Sequence, residues 1–274
     1  MTYSTILVSL QAGCPNKHLL EAAVEVADRF QAAVIGSAAC MPIQILYADG
    51  FAYGDVFEQD NKEIALELAQ AEAEFRDAIG SARVQDWRSA IVNTSLANDL
   101  ASQASRADLV LLAAAPAGMI NAARQVDAGD LIMQAGRPVL LVAPAPVRVG
   151  MDRVLVAWKD TREGRRAVAD ALPLLQRASR VSLVEIADQD DLDAARSRLA
   201  GVAAWLARHG VTAGMHARPR TDDDAAGLTE MADELECDII VAGAYGHSRV
   251  KEWALGGVTR TLVRHAIRPA FISH

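Results

Sequence analysis

The stretch GAYGHSRVKEWALGGVT, residues 243–259, gathers the residue types that hold a phosphate. Gly243 and Gly246 directly follow the apolar run DIIVA. Gly256 and Gly257 precede a helical stretch running to about His265. Glycine lets backbone N–H groups approach phosphate oxygens with no Cβ in the way. A helix opening at Gly257 or Val258 adds unpaired N–H donors and the favourable end of its dipole. Thr259 offers a hydroxyl, while His247, Arg249, Lys251 and Arg260 offer compensating charge. Four glycines flanking a basic spacer point to an anion cradle. Tight βα turns also use glycine, so a purely structural loop is the competing reading.

Other chemistry is thinner. The sequence holds no G-x4-G-K-[ST] loop, no HExxH or GxSxG, and no kinase-type motif. The acidic runs DQDDLDAA (188–195) and TDDDAAG (221–227) stand where helices should begin, so capping explains them better than a metal site. Cys14, Cys40 and Cys237 have neither disulfide nor zinc-ligand spacing and read as bystander thiols. The six histidines form no close pair. His247 sits inside the glycine loop. His265 falls late in a helix, where a dipole contact accounts for it.

The elements that position the loop come from an internal repeat. Residues 108–143 match 238–273: each opens with Asp and an apolar run, passes a small-residue loop and a helical stretch, and closes with Arg-Pro and a second apolar run. STILVSL (4–10) likewise matches DRVLVAW (152–158). Ala167, Val168, Ala171, Leu172 and Leu175 share one helical face, as do Leu192, Ala195, Leu199, Val202 and Leu206. Short β-rich runs such as VSLVEI (181–186) lie between them. Strands alternating with helices imply parallel sheets covered on both faces. The expected fold is therefore α/β, with two open five-stranded βαβ domains over 1–145 and 151–274, joined by the linker APAPVRVG (143–150). The closing runs at 139–143 and 270–273 read as edge strands, which tend to pair, so the halves are expected to meet there as an intramolecular pseudo-dimer. MPIQILYADGFAYGDVF (41–57) reads as an irregular insertion before a long helix of about 58–79. An ordered surface loop is its plain explanation; covering a pocket with its aromatics is the other.

Composition narrows the class. Half of the chain, 51%, is apolar, which is ample for two cores, and no apolar run is long enough to span a bilayer. MTYSTILVSLQAG reads as a first strand rather than a leader, so a cytoplasmic, membrane-free protein is expected. The net charge of −8 lies entirely in residues 1–147, with nine Lys+Arg against seventeen Asp+Glu, whereas 148–274 holds eighteen of each. That distribution disfavours nucleic acid, which needs a basic face, yet lets a small anion bind in the neutral half.

The spacing Gly243-x2-Gly246-x9-Gly256 resembles the G-x2-G-x9-G-(S/T) signature of the universal stress protein family, and VTRTLVRHAIRPAFIS resembles that family's closing helix and strand. The resemblance covers essentially the whole chain in two copies, strong in the second and weak in the first. It implies tandem Rossmann-like domains of the adenine nucleotide alpha-hydrolase type, serving as an ATP-binding stress-response module without dedicated catalysis. By that resemblance the ligand is an adenine nucleotide, ATP with Mg²⁺. Its phosphates fall on Gly243, Gly246, His247, Gly256, Gly257, Val258 and Thr259, and its adenosine near Ala157, Trp158 and Lys159. Two positions depart from the pattern. The hydroxyl residue after the third glycine is Gly257, and the family's Asp after the first strand is Lys159, with Asp160 one place late. Trp158 can stack on a base or be core. In the first half, Ala113 and Pro116 stand opposite Gly243 and Gly246, so no equivalent cradle is expected and that domain reads as structural or partner-facing. A nucleotide-free scaffold acting through an unidentified protein partner is the alternative. Pairing of two chains into a homodimer stays open.

Overall fold

The computed structural model describes residues 2–43, 53–80, 83–114, 123–143, 149–221, 223–244, 261–262 and 268–274. Gly246, His247, Gly256, Gly257, Val258, Thr259 and His265 lie outside the described residues, as does most of the 41–57 segment. Contacts divide the chain into Tyr3–Arg137 and a second unit built on Pro138–His274.

In the first unit, β1 (Thr5–Ser9), α1 (Lys17–Phe30), β2 (Ala33–Cys40), α2 (Tyr53–Ile79), β3 (Val84–Ile91), α3 (Leu96–Gln103), β4 (Leu109–Ala113) and α4 (Ala128–Gln134) follow one another. The strands lie in the order β3-β2-β1-β4 and pair in parallel. Ile6, Leu7 and Val8 of the central strand are fully buried, the continuous apolar run demanded of a parallel strand covered on both faces. Helix α1 turns Leu19, Ala23, Val26 and Phe30 inward at helical spacing. Helix α2 starts at Tyr53, earlier than the sequence indicates, so residues 53–57 of the apparent insertion are helical.

The second unit contains β5 (Val139–Val142), β6 (Arg153–Ala157), α5 (Arg162–Asp170), α6 (Leu172–Leu175), β7 (Arg180–Ala187), α7 (Leu192–Arg208), β8 (Ala213–Pro219), α8 (Asp224–Glu234), β9 (Ile239–Gly243) and β10 (Ala270–Ser273). Its order is β5-β10-β9-β6-β7-β8. All neighbours are parallel except β5, which runs antiparallel to β10 through Leu140 opposite Phe271. The two closing runs thus meet as expected, and each repeat contributes five strands. On α7, Ala195, Leu199, Val202 and Leu206 are buried as their spacing implies, while Leu192 at the helix start is only half-buried.

The repeat extends to individual hydrogen bonds. Asp108 accepts from the N–H groups of Ser4 and Thr5 at 2.8 and 3.1 Å. Asp238 accepts from those of Asp152 and Arg153 at 3.1 and 2.9 Å. Each carboxylate thereby pairs donors at the start of its repeat's first strand, where the neighbouring strand begins. The aspartate that opens each matching segment in the sequence has one job, performed twice.

Candidate functional site

From β6 the chain passes to β7 and β8 on one side and then returns to β9 on the other, so the connection reverses between β6 and β9. In an open α/β sheet the carboxyl ends at such a reversal form the usual ligand crevice. Here those ends are Ala157 and Gly243, with Ala157 in register with Ala242. Gly243, where the glycine-rich stretch of the sequence begins, ends β9 here.

Two glycines let the crevice wall close. A Cβ on Gly243 would stand 2.5 Å from the carbonyl carbon of Glu163 and 2.6 Å from the nitrogen of Gly164, so the first turn of α5 sits directly against the end of β9. A Cβ on Gly164 would stand 2.2 Å from the carbonyl oxygen of Lys159. That same oxygen accepts from the Thr161 N–H at 2.7 Å, and Thr161 Oγ1 caps the helix by accepting from the Gly164 N–H at 3.1 Å. The loop after β6, the start of α5 and the end of β9 therefore interlock through backbone. On the other side of Gly243, Ser273 is its register partner, and the Ser273 hydroxyl is buried without a hydrogen-bond partner. His274 Nδ1 lies 3.1 Å from the carbonyl oxygen of Ala244.

The charge around this wall is mixed. Lys159 is exposed at the carboxyl end of β6. Glu163 is only 9% exposed and its carboxyl is held below the usual range. Burial works to raise it, but its own backbone N–H, Arg162 and Thr161 outweigh that effect. Asp160, which the sequence offers as a substitute for the displaced acid, is engaged by Arg165 Nε at 2.8 Å. Trp158 is 8% exposed and lies in the wall of a cleft with Val168 of α5 and Val202 of α7, as a core aromatic would. Of the residues assigned to the ligand from sequence, the structure brings Ala157, Lys159 and Gly243 to the reversal point. Thr161, Glu163, Gly164, Ser273 and His274 join them there. Neither the Thr161 cap nor Gly164 was singled out from the sequence, and only the neighbouring Lys159 carbonyl explains the glycine.

The first unit treats the same edge differently. Arg124, after β4, donates from Nε to Glu67 Oε2 at 2.9 Å and from Nη1 to the carbonyl of Met41 at 2.9 Å. Its Nη2 lies 3.7 Å from Asp60, which is 4% exposed and also accepts from the Ile43 N–H at 2.8 Å. Glu67 reaches back over the loop after β1, where a Cβ on Gly13 would stand 2.7 Å from its Oε1. Met41 and Ala123 close the arrangement with a backbone bond of 2.9 Å. The carboxyl ends of β1 and β2 are thus covered by the chain's own ion-pair network.

The acidic runs resolve separately. Asp223 caps α8, accepting from Ala225 and Ala226 at 3.0 Å, as expected. Asp191 stands at the N-cap of α7 but makes no capping bond. Its carboxylate instead accepts from Arg198 at 2.7 Å, and that bond lowers its pKa. Arg198 wins because it lies two turns along the same helix with Glu185 as a second partner. Among the described residues no His/Cys/Asp/Glu group is arranged to hold a metal ion, and none of their helices is long and apolar enough to cross a membrane. Burial pushes the thiols of Cys40 and Cys237 up to about 11, which makes both poor nucleophiles.

The fold and the edge at Gly243 define an open α/β protein of the strand-reversal class, in two sequence repeats. Residues 150–274 match the sequence model of the Universal stress protein family. A universal stress protein from Archaeoglobus fulgidus DSM 4304 has a similar fold, with a TM-score of 0.69 at 14% identity over 98% of this chain and 95% of that one. A functionally unknown protein from Pseudomonas aeruginosa PAO1 is similar at a TM-score of 0.63 and 15% identity, over 99% and 92% of the two chains. A search of curated proteins finds no match to the sequence.

Proposed function

We propose that the second domain, residues 151–274, binds an adenine nucleotide, ATP with Mg²⁺, and acts as a regulatory module without dedicated catalysis. The observation that carries this reading is the interlocked wall at the strand reversal, from which the sequence Gly243-x2-Gly246-x9-Gly256 departs. An anion fits there for chemical reasons: Lys159 sets a cation beyond β6, and the buried Ser273 hydroxyl beside Gly243 finds no partner among the described residues. When bound, the Mg²⁺ would supply charge neutralisation to the phosphates. The glycine-loop residues Gly246, His247, Gly256, Gly257, Val258 and Thr259 would surround those phosphates, with Ala157 and Lys159 on the nucleoside side. The first domain, residues 1–145, serves as the structural or partner-facing half. Occupancy then alters partner contacts only to the extent that the nucleotide prefers one of two states.

A second reading, the nucleotide-free scaffold, is favoured by two observations. Gly243 already has a packing reason, since the backbone of α5 fills the place of its Cβ. The ionised Glu163 carboxylate also stands at the same helix start. Calorimetric titration of the purified chain with Mg-ATP separates the readings. Saturable binding that a Gly246→Val substitution abolishes supports the nucleotide module. Absence of heat at millimolar ATP supports the scaffold.

A further inference from the structure

A cleft of about 520 Å³ lies between α5 and α7 in the second unit. Its size falls within the roughly 300–1,000 Å³ of small-molecule sites. Trp158, Val168, Val202 and Trp205 supply its apolar walls, with Gly201 between them on α7. The Trp205 ring packs against His209 at a tilt of 50°, with centroids 4.3 Å apart.

Three observations indicate what this cleft takes. The first concerns a donor. Trp158 is 8% exposed, and its indole N–H is buried with no hydrogen-bond acceptor among the described residues. A buried donor without an acceptor is costly to the fold, and an incoming acceptor recovers that cost once the ring turns its N–H toward it. The second concerns room. Gly201 sits in the middle of α7, where glycine weakens a helix, yet its φ is not in the left-handed region and a Cβ there would meet nothing within 4 Å. Nothing in the backbone or packing requires glycine at this position, whereas a larger side chain would project into the open groove. The third concerns charge. Both guanidinium groups lining the cleft are already neutralised: Arg165 by Asp160 at 2.8 Å, and Arg198 by Glu185 and Asp191 at 2.7 Å each. The cleft therefore offers aromatic and aliphatic surface and one unmet donor, with no spare positive charge for an anion.

We infer that the α5–α7 cleft is a second ligand site, for an uncharged planar aromatic molecule carrying a hydrogen-bond acceptor, which seats between Trp158 and Trp205 and accepts from the Trp158 indole. It does not depend on the nucleotide reading.

The test uses the full chain with ¹⁵N-labelled tryptophan, titrated with quinoline, and with naphthalene as the counterpart that lacks an acceptor. The Trp158 indole resonance, assigned by its loss in Trp158→Phe, should shift saturably with quinoline. Naphthalene should bind about tenfold more weakly, because it leaves the donor unmet. Trp158→Phe should bring the two affinities together. Gly201→Leu should weaken quinoline at least about tenfold by filling the groove, with the cooperative unfolding transition retained. No saturable shift of the Trp158 resonance at millimolar quinoline overturns the inference. So does equal binding of both probes to the unsubstituted chain, or quinoline affinity unchanged by Gly201→Leu.

Discussion

The carboxyl edges of the two repeats start from the same strand pattern and end differently. In the first, Arg124, Glu67 and Asp60 lay a partly buried ion-pair network over the ends of β1 and β2. In the second, close backbone contacts build the wall, with Gly243 against Glu163 and Gly164 against the Lys159 carbonyl. Side chains that satisfy one another leave little for a ligand to do. One duplicated unit can therefore keep its fold through Asp108 and Asp238 while its two copies build their carboxyl edges differently.

The largest expected effect comes from breaking the first edge. Arg124→Met leaves Asp60 and Glu67 without their cation, and should cost about 3 kcal/mol, the low end for a buried pair deprived of one partner. Urea denaturation measures it, and Mg-ATP affinity should not change. If the network contributes nothing, the midpoint will match that of the unsubstituted chain.

Next comes the second edge. Gly243→Ala places a methyl 2.5 Å from the Glu163 carbonyl carbon, so α5 must shift. Overpacking of this kind costs about 1–3 kcal/mol, and nucleotide affinity should fall with it. Ala113→Gly, at the matching place in the first repeat, has no such contact to relieve. Its cost should be no more than about 1 kcal/mol, from backbone entropy.

A smaller effect concerns pH. The Glu163 carboxyl is lowered in the folded chain, so it contributes stability above the pKa of the unfolded carboxyl and loses it as pH falls through the folded value. Glu163→Gln should therefore be less stable than the unsubstituted chain near neutrality, and the gap should close in acid. Thermal unfolding of both proteins across an acid series reads this out, and a gap that is constant with pH would count against it. Smallest of all is thiol reactivity: half-buried Cys14 should alkylate first, while Cys40 and Cys237, raised to about 11, stay unmodified until the protein unfolds.

Much of this architecture was legible in the residues. The Asp-plus-apolar-run match located both repeats, the pairing of the two closing runs followed from their being edges, and Asp223 was readable as a cap. What escaped depends on contacts that periodicity does not encode. Asp191 looks like a cap until Arg198, two turns away, is seen to hold it. Gly164 looks like any helical glycine until the Lys159 carbonyl is placed above it. Arg124, Glu67 and Asp60 are separated by up to 64 positions and belong to no local motif. The start of α2 at Tyr53 was hidden because Tyr, Gly and Asp are indifferent helix formers.

The most direct test of the contrast between the edges is the stoichiometry of nucleotide on the intact chain. Calorimetric titration with Mg-ATP should give one site per chain, lost in Gly246→Val and kept in Arg124→Met. No binding, or two equivalent sites per chain, would contradict the account.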